Sequence, residues 1–127
     1  MTLENYWMGR NILYVTDLTP EIMGNAAELL ERVRKLLGAF GEVRAITSGW
    51  RPPSVNATTV GAATRSRHMS GQAVDLADPE GDLDEWCFEN QEVLQHYGLW
   101  LEHPATTKNW THLQSVPPKS GKRVFYP

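Results

Sequence analysis

The 127-residue chain has little cysteine, no basic run and no long apolar run, and each shortage argues against a class of protein. Its single cysteine, Cys87, cannot form an internal disulfide, so no oxidising compartment is implied and stability must come from packing or a metal. The net charge of -3 argues against a nucleic-acid partner, because affinity for phosphates depends on clustered Lys and Arg. No apolar run approaches the roughly 20 residues of a membrane span, so we expect no membrane partner.

The length fits one domain, residues 1–127, with a core that buries roughly two-thirds of the unfolded surface. Residues 1–10 lack the charged start and apolar run of an export signal, which predicts a protein that is cytoplasmic at synthesis. The oligomeric state is not readable from the sequence.

Apolar periodicity predicts helices and short strands. Thr19, Pro20 and Glu21 form a helix start, and apolar residues recur at helical spacing up to Phe40, with Gly38 or Gly41 as the stop. A second helix is predicted from residue 82 to about 95, and residues 54–65 are interpreted as a loop over the site, with room for one helical turn. Strands are predicted over residues 12–15, 42–48, 72–76, 99–102, 110–114 and 123–126.

The segment from Ser66 to Asp75 contains the first candidate ligands. Residues 72–76 alternate like a half-buried strand, so Ala73 and Asp75 share a face, and Gly71 permits a turn that returns His68 over it. An imidazole and a carboxylate at one point, with a second histidine, form the ligand set of a hydrolytic zinc site. The structural alternative is that His68 caps a turn and Asp75 ends a strand.

Two flanking segments carry further candidates. Arg51 lies in a turn made rigid by a glycine and two prolines, where its guanidinium suits a carboxylate or the oxyanion of a hydrolytic transition state. The alternative is a surface pair stacked on Trp50. Downstream, Trp110, His112 and Gln114 share a strand face in a predicted hairpin with residues 99–102.

Together these segments resemble the zinc D-alanyl-D-alanine carboxypeptidases and dipeptidases. The likeness rests on Ser48-Gly-Trp-Arg51, Ser66-x-His68-x-x-Gly-x-Ala-x-Asp75 and Trp110-Thr-His112, and it covers about residues 43–114. This M15-like peptidase group includes phage L-alanyl-D-glutamate endolysins and shares the hedgehog fold. The resemblance implies an α+β domain with a small antiparallel sheet packed against two or more helices.

The resemblance also implies a function. His68, Asp75 and His112 would hold Zn²⁺, zinc-bound water would be the nucleophile, and Arg51 would contact the substrate carbonyl or carboxylate, with Ser66 as a supporting hydroxyl. The substrate would be a peptidoglycan stem peptide or a D-amino-acid dipeptide, cut by an enzyme of carboxypeptidase or endolysin type. Without an export signal, such an enzyme would act in the cytoplasm, reach the cell wall at phage lysis or travel in a virion.

The sequence departs from the family pattern at the proton-transfer group. The family carboxylate usually stands three residues before the last histidine ligand, where this chain has Asn109, which cannot act as a base. We therefore predict Glu102 as general base and acid, and His103 as a substrate or leaving-group contact. The alternatives are that Glu102 pairs with a surface base or His103, and that the chain is a non-catalytic zinc-binding module of the same fold.

Overall fold

The computed structural model describes residues 1–127 and consists of helices packed around a five-stranded sheet. The helices are α1 (Leu3–Trp7), α2 (Arg10–Leu13), α3 (Pro20–Phe40), α4 (Pro53–Thr58), α5 (Asp82–Glu89) and α6 (Gln91–Tyr97), with 3-10 turns at Val15–Asp17 and Pro104–Thr106. The strands are β1 (Ile46–Ser48), β2 (Ala73–Asp78), β3 (Trp100–Glu102), β4 (Asn109–Gln114) and β5 (Val124–Phe125). The predicted α+β class is confirmed. No helix combines the length and apolar character needed to cross a bilayer.

Helix α3 supplies the main apolar face beneath the sheet. The Thr19 hydroxyl accepts a hydrogen bond from the backbone N–H of Ile22, Pro20 fixes the first turn, and Gly41 ends the helix in the left-handed conformation. The predicted start and the stop at Gly41 are confirmed, whereas Gly38 lies inside the helix. The buried residues of this helix are Ala26, Leu29, Leu30, Val33, Leu36 and Leu37.

The sheet has the order β1-β2-β4-β3-β5, and the predicted hairpin of β3 and β4 is confirmed. The sheet is mixed rather than antiparallel throughout, because β5 pairs with β3 in parallel. Strand β4 ends beside the start of β3, since Gln114 pairs with Trp100. A following strand that begins there and runs along β3 must therefore be parallel to it.

Two local predictions are wrong. Residues 12–15 form the end of α2 and a 3-10 turn, and the exposed side chains of Ile12 and Leu13 bury no sheet face. The predicted helix 82–95 breaks at Asn90, whose side-chain amide donates to the Trp86 carbonyl instead of continuing the helix. The short helix Pro53–Thr58, followed by residues 59–65 without helix or strand, agrees with the predicted loop containing about one helical turn.

The N-terminal helix α1 positions the turn that carries Arg51. The Tyr6 hydroxyl donates to the Ala73 carbonyl (2.8 Å), and the Tyr6 carbonyl accepts from the backbone N–H of Trp50 (3.1 Å). A Cβ on Gly49 would collide with the Tyr6 carbonyl oxygen, so only glycine permits this approach. Helix α1 therefore supports the site, a role that the sequence did not indicate.

Candidate metal centre

His68, Asp75 and His112 meet on the face of the sheet opposite α3. Asp75 on β2 pairs directly with His112 on β4, and His68 lies in the turn before β2. The Asp75 Oδ1 atom lies 2.9 Å from His112 Nδ1 and 3.3 Å from His68 Nε2. All three residues are buried, and their ligand atoms lie within 4.8 Å of one another. The structure thus brings together the three predicted ligands.

The hydrogen bonds that the two histidines make away from Asp75 determine which ring nitrogen of each faces the point where the three ligand atoms meet. His68 Nδ1 lies 2.8 Å from the Gly49 carbonyl oxygen, which can only accept, so Nδ1 carries the hydrogen and Nε2 has the lone pair. The Gln114 amide nitrogen donates to the Val116 carbonyl, so its Oε1 accepts from His112 Nε2 at 2.9 Å. In the neutral imidazole His112 Nδ1 therefore has the lone pair, directed toward Asp75, whereas in the protonated imidazole Nδ1 donates to Asp75 Oδ1.

This group fits a divalent metal. His68 Nε2 is buried and has no hydrogen-bond partner, which is costly for a polar atom away from water. A cation at the shared point would satisfy this nitrogen together with Asp75 Oδ1 and His112 Nδ1. Two imidazoles and one carboxylate, with a fourth position left for water or substrate, are the donor set of catalytic zinc sites.

The protonation states of Asp75 and His68 favour a metal, whereas that of His112 opposes one. Burial opposes ionisation of Asp75, but the neighbouring imidazoles, His112 above all through its hydrogen bond, outweigh burial and hold the pKa of Asp75 well below its usual range. Burial lowers the pKa of His68, which keeps that imidazole neutral. Burial also opposes a charge on His112, but Asp75 and Gln114 raise its pKa above the ordinary value. A metal ion must therefore compete with a proton at His112.

Arg51 holds the second oxygen of Asp75. Its Nη2 donates to Asp75 Oδ2 (3.4 Å), its Nε donates to Ser48 Oγ (3.1 Å), and its backbone N–H donates to the His68 carbonyl. Asp75 is thus oriented with Oδ1 toward the histidines and Oδ2 toward the guanidinium. The alternative of a surface pair with Trp50 is not realised, because that indole is buried and packs edge-to-face on Trp7.

A cavity of about 500 Å³ opens beside the three ligands, and Arg51, Ser66 and Glu102 also line it. Trp100 pairs with Gln114 and Leu101 with Leu113, so the next position along the hairpin places Glu102 opposite His112. The Glu102 Oε2 atom accepts a hydrogen bond from Thr106 Oγ1 at 2.9 Å. The hairpin therefore places Glu102 beside the candidate ligands, as the sequence predicted, and its catalytic role stays a prediction.

Other predicted residues have different surroundings. The Ser66 hydroxyl accepts from the backbone N–H of His68 (3.2 Å) and so supports the ligand turn. His103 lies outside the cavity lining, where its Nδ1 accepts from Ala105 N–H and its ring stacks on Tyr126 with centroids 4.4 Å apart. Asn109 is exposed at the start of β4 and also lies outside the lining.

Sequence reasoning missed several contributors to the site. It noted that Gln114 shares a face with His112 but assigned it no contact, and the hydrogen bond between them fixes the imidazole tautomer. Thr106, which holds Glu102, and the cavity-lining cations Arg65, Arg67 and Lys119 were not singled out. Thr106 and Gln114 contact residues only four and two positions away in sequence, but these contacts depend on side-chain conformation, which no sequence pattern indicates.

Comparison with known proteins gives one match. A family model described as Peptidase M15 matches residues 11–114, which include the three candidate ligands, Arg51 and Glu102. The searches of curated proteins and of solved structures gave no match. The matched segment includes all strands except β5 and most of the cavity lining.

Proposed function

Because the chain belongs to the peptidase M15 family, whose members are metallopeptidases, we propose that it is a zinc enzyme that hydrolyses peptide bonds in the peptidoglycan stem peptide. The observation that carries the proposal is the convergence of His68 Nε2, Asp75 Oδ1 and His112 Nδ1 beside a cavity that Glu102 lines. Zinc held there would act as a Lewis acid and lower the pKa of bound water to about 7.

Glu102 is the proposed proton-transfer group. It faces His112 across the hairpin and lines the cavity, and Thr106 occupies only its Oε2 atom. The other carboxylate oxygen is available to accept a proton from the attacking water and to pass it to the leaving amine. A base supplied by β3 in this way would replace the family acid that is missing at Asn109.

Arg51 is the proposed donor to the substrate. Its Nε and Nη2 atoms are engaged by Ser48 and Asp75, whereas Nη1 makes no hydrogen bond within the protein. An arginine held rigidly at both points keeps its remaining N–H groups aimed with little loss of entropy. These donors would bind the carbonyl oxygen of the cleaved bond and stabilise the negative charge that develops on it, or would bind the terminal carboxylate beside that bond in a peptide that ends in D-alanyl-D-alanine.

The test combines metal analysis with an assay on cell walls. The purified protein should contain about one zinc ion per chain and should release new amino groups from purified peptidoglycan, with D-alanyl-D-alanine as a comparison substrate. Zinc without turnover would support the non-catalytic zinc-binding module. A protein that contains no zinc and shows no turnover would contradict both functions.

Thr106→Val is expected to lower kcat about tenfold with little change in KM or zinc content, because it removes a positioning contact of the general base. Thr106 Oγ1 lies 2.9 Å from Glu102 Oε2 and 2.8 Å from the His103 carbonyl oxygen. The hydroxyl can donate to an ionised Glu102, or accept from a protonated Glu102 while donating to the carbonyl. It would therefore hold the carboxyl group in both protonation states.

The matched control for this variant is the neighbouring threonine. Thr107 Oγ1 donates to the buried Asp84 (2.7 Å) and makes no contact with Glu102, so Thr107→Val reports on loop stability alone. Thr106→Ser, which keeps the hydroxyl, should restore kcat. A Thr106→Val enzyme with the wild-type kcat would show that Thr106 does not position Glu102.

A further inference from the structure

The cavity beside the candidate ligands carries an excess of positive charge in an acidic protein. Besides Arg51, three cationic side chains line it, namely Arg65, Arg67 and Lys119, whereas its acidic lining residues are Asp75 and Glu102. The whole chain has a net charge of -3. The two arginines come from the segment after α4 and the lysine from the segment after β4, so two parts of the chain bring cations to one cavity.

These three cations, which we call the rim cations, have no partner within the protein. All three side chains are exposed, and none donates a hydrogen bond or forms an ion pair. By contrast, Arg32, Arg34 and Lys35 on α3 each pair with a carboxylate of the same helix. The other unpaired cations, Lys108 and Lys122, lie outside the cavity. Clustered and unpaired charge of one sign in a concave site attracts ligands of the opposite sign.

We propose that the rim cations form a subsite for a second substrate carboxylate, separate from the group bound by Arg51. This inference rests on the proposed peptidase function and narrows its substrate class. A peptide that ends in D-alanyl-D-alanine offers one carboxylate at the cleaved bond, and Arg51 alone can bind it. Three further cations favour a stem peptide cut beside an acidic residue with a free carboxylate.

The expected effect is on substrate capture. Exposed cations are screened by salt, so the subsite should raise kcat/KM for acidic peptides at low ionic strength and lose that effect as the Debye length shortens. Two stem peptides that differ only in a free or amidated α-carboxylate on D-glutamate test this directly. We expect about tenfold higher kcat/KM for the free carboxylate at about 0.01 M salt and a much smaller difference at about 1 M salt.

Two variants test whether the rim cations cause the preference for the free carboxylate. The triple variant Arg65→Gln, Arg67→Gln, Lys119→Gln should cleave the two peptides with equal kcat/KM. The double variant Lys108→Gln, Lys122→Gln removes unpaired cations outside the cavity and should retain the wild-type preference. Equal cleavage of both peptides by the wild-type protein, or a preference that survives in the triple variant, would overturn the subsite.

Calorimetry separates this inference from the proposed function. If neither peptide is cleaved, the peptidase proposal fails. The affinities of the same two peptides for the zinc-loaded protein then test whether the rim cations bind the carboxylate. Tighter binding of the free carboxylate, lost in the triple variant, supports the subsite. Equal affinity for the two peptides overturns it.

Discussion

His112→Ala is expected to abolish both metal binding and peptide hydrolysis, with zinc falling from about one ion per chain to none. His112 presents Nδ1 to the shared point, and its ring orientation is fixed from behind by Gln114. Loss of this imidazole leaves one nitrogen and one carboxylate oxygen, which are too few donors for a tetrahedral zinc site that also binds water. Metal content by mass spectrometry and turnover of peptidoglycan measure both effects.

The controls separate the loss of a ligand from the loss of the fold. His96 lies exposed in the last turn of α6, so His96→Ala should keep zinc and activity. His68→Ala removes a second ligand and should match His112→Ala in metal content while the circular dichroism spectrum stays native. A folded His112→Ala protein that still holds one zinc ion would remove His112 from the ligand set.

Much of the site could be predicted because its residues lie on short segments with strict spacing. Asp75 and His112 each lie on a strand whose alternation assigns their faces, and the two strands prove to be direct neighbours. Glu102 could be placed beside His112 once a hairpin was assumed, because register then fixes the opposite residue. Alternation and hairpin register depend on residues close together in the chain, so both can be predicted from the sequence.

The remaining features depend on long-range packing that no local pattern records. The apolar run of residues 12–15 predicts a strand that does not form, because a short apolar run does not distinguish a strand from a helix. The parallel pairing of β5 follows from where β4 ends in space rather than from the residues of β5. Likewise, the cavity lining by Lys119 depends on the path of the loop after β4, so the sequence could not link this lysine to Arg65 and Arg67.

Glu102→Gln is expected to leave the zinc content unchanged and to lower kcat by about 10²- to 10⁴-fold, the usual contribution of a positioned acid or base. Glutamine preserves the shape of the side chain, and its carbonyl oxygen can still accept the hydrogen bond from Thr106. It cannot take a proton from water or return one to the leaving amine. Zinc analysis and steady-state kinetics on a stem peptide therefore separate loss of the proton acceptor from loss of the metal.

A second acidic residue provides the control for Glu102→Gln, and two outcomes would contradict the assignment of Glu102 as the base. Glu92 is an exposed acid in the first turn of α6 and does not line the cavity, so Glu92→Gln should retain full kcat. If Glu102→Gln loses zinc, then Glu102 is a ligand rather than the base. If it keeps both zinc and full kcat, the proton acceptor is another group, and the position opposite His112 on the hairpin has no catalytic role. Because Asn109 cannot accept a proton, this variant decides whether β3 supplies the missing acid.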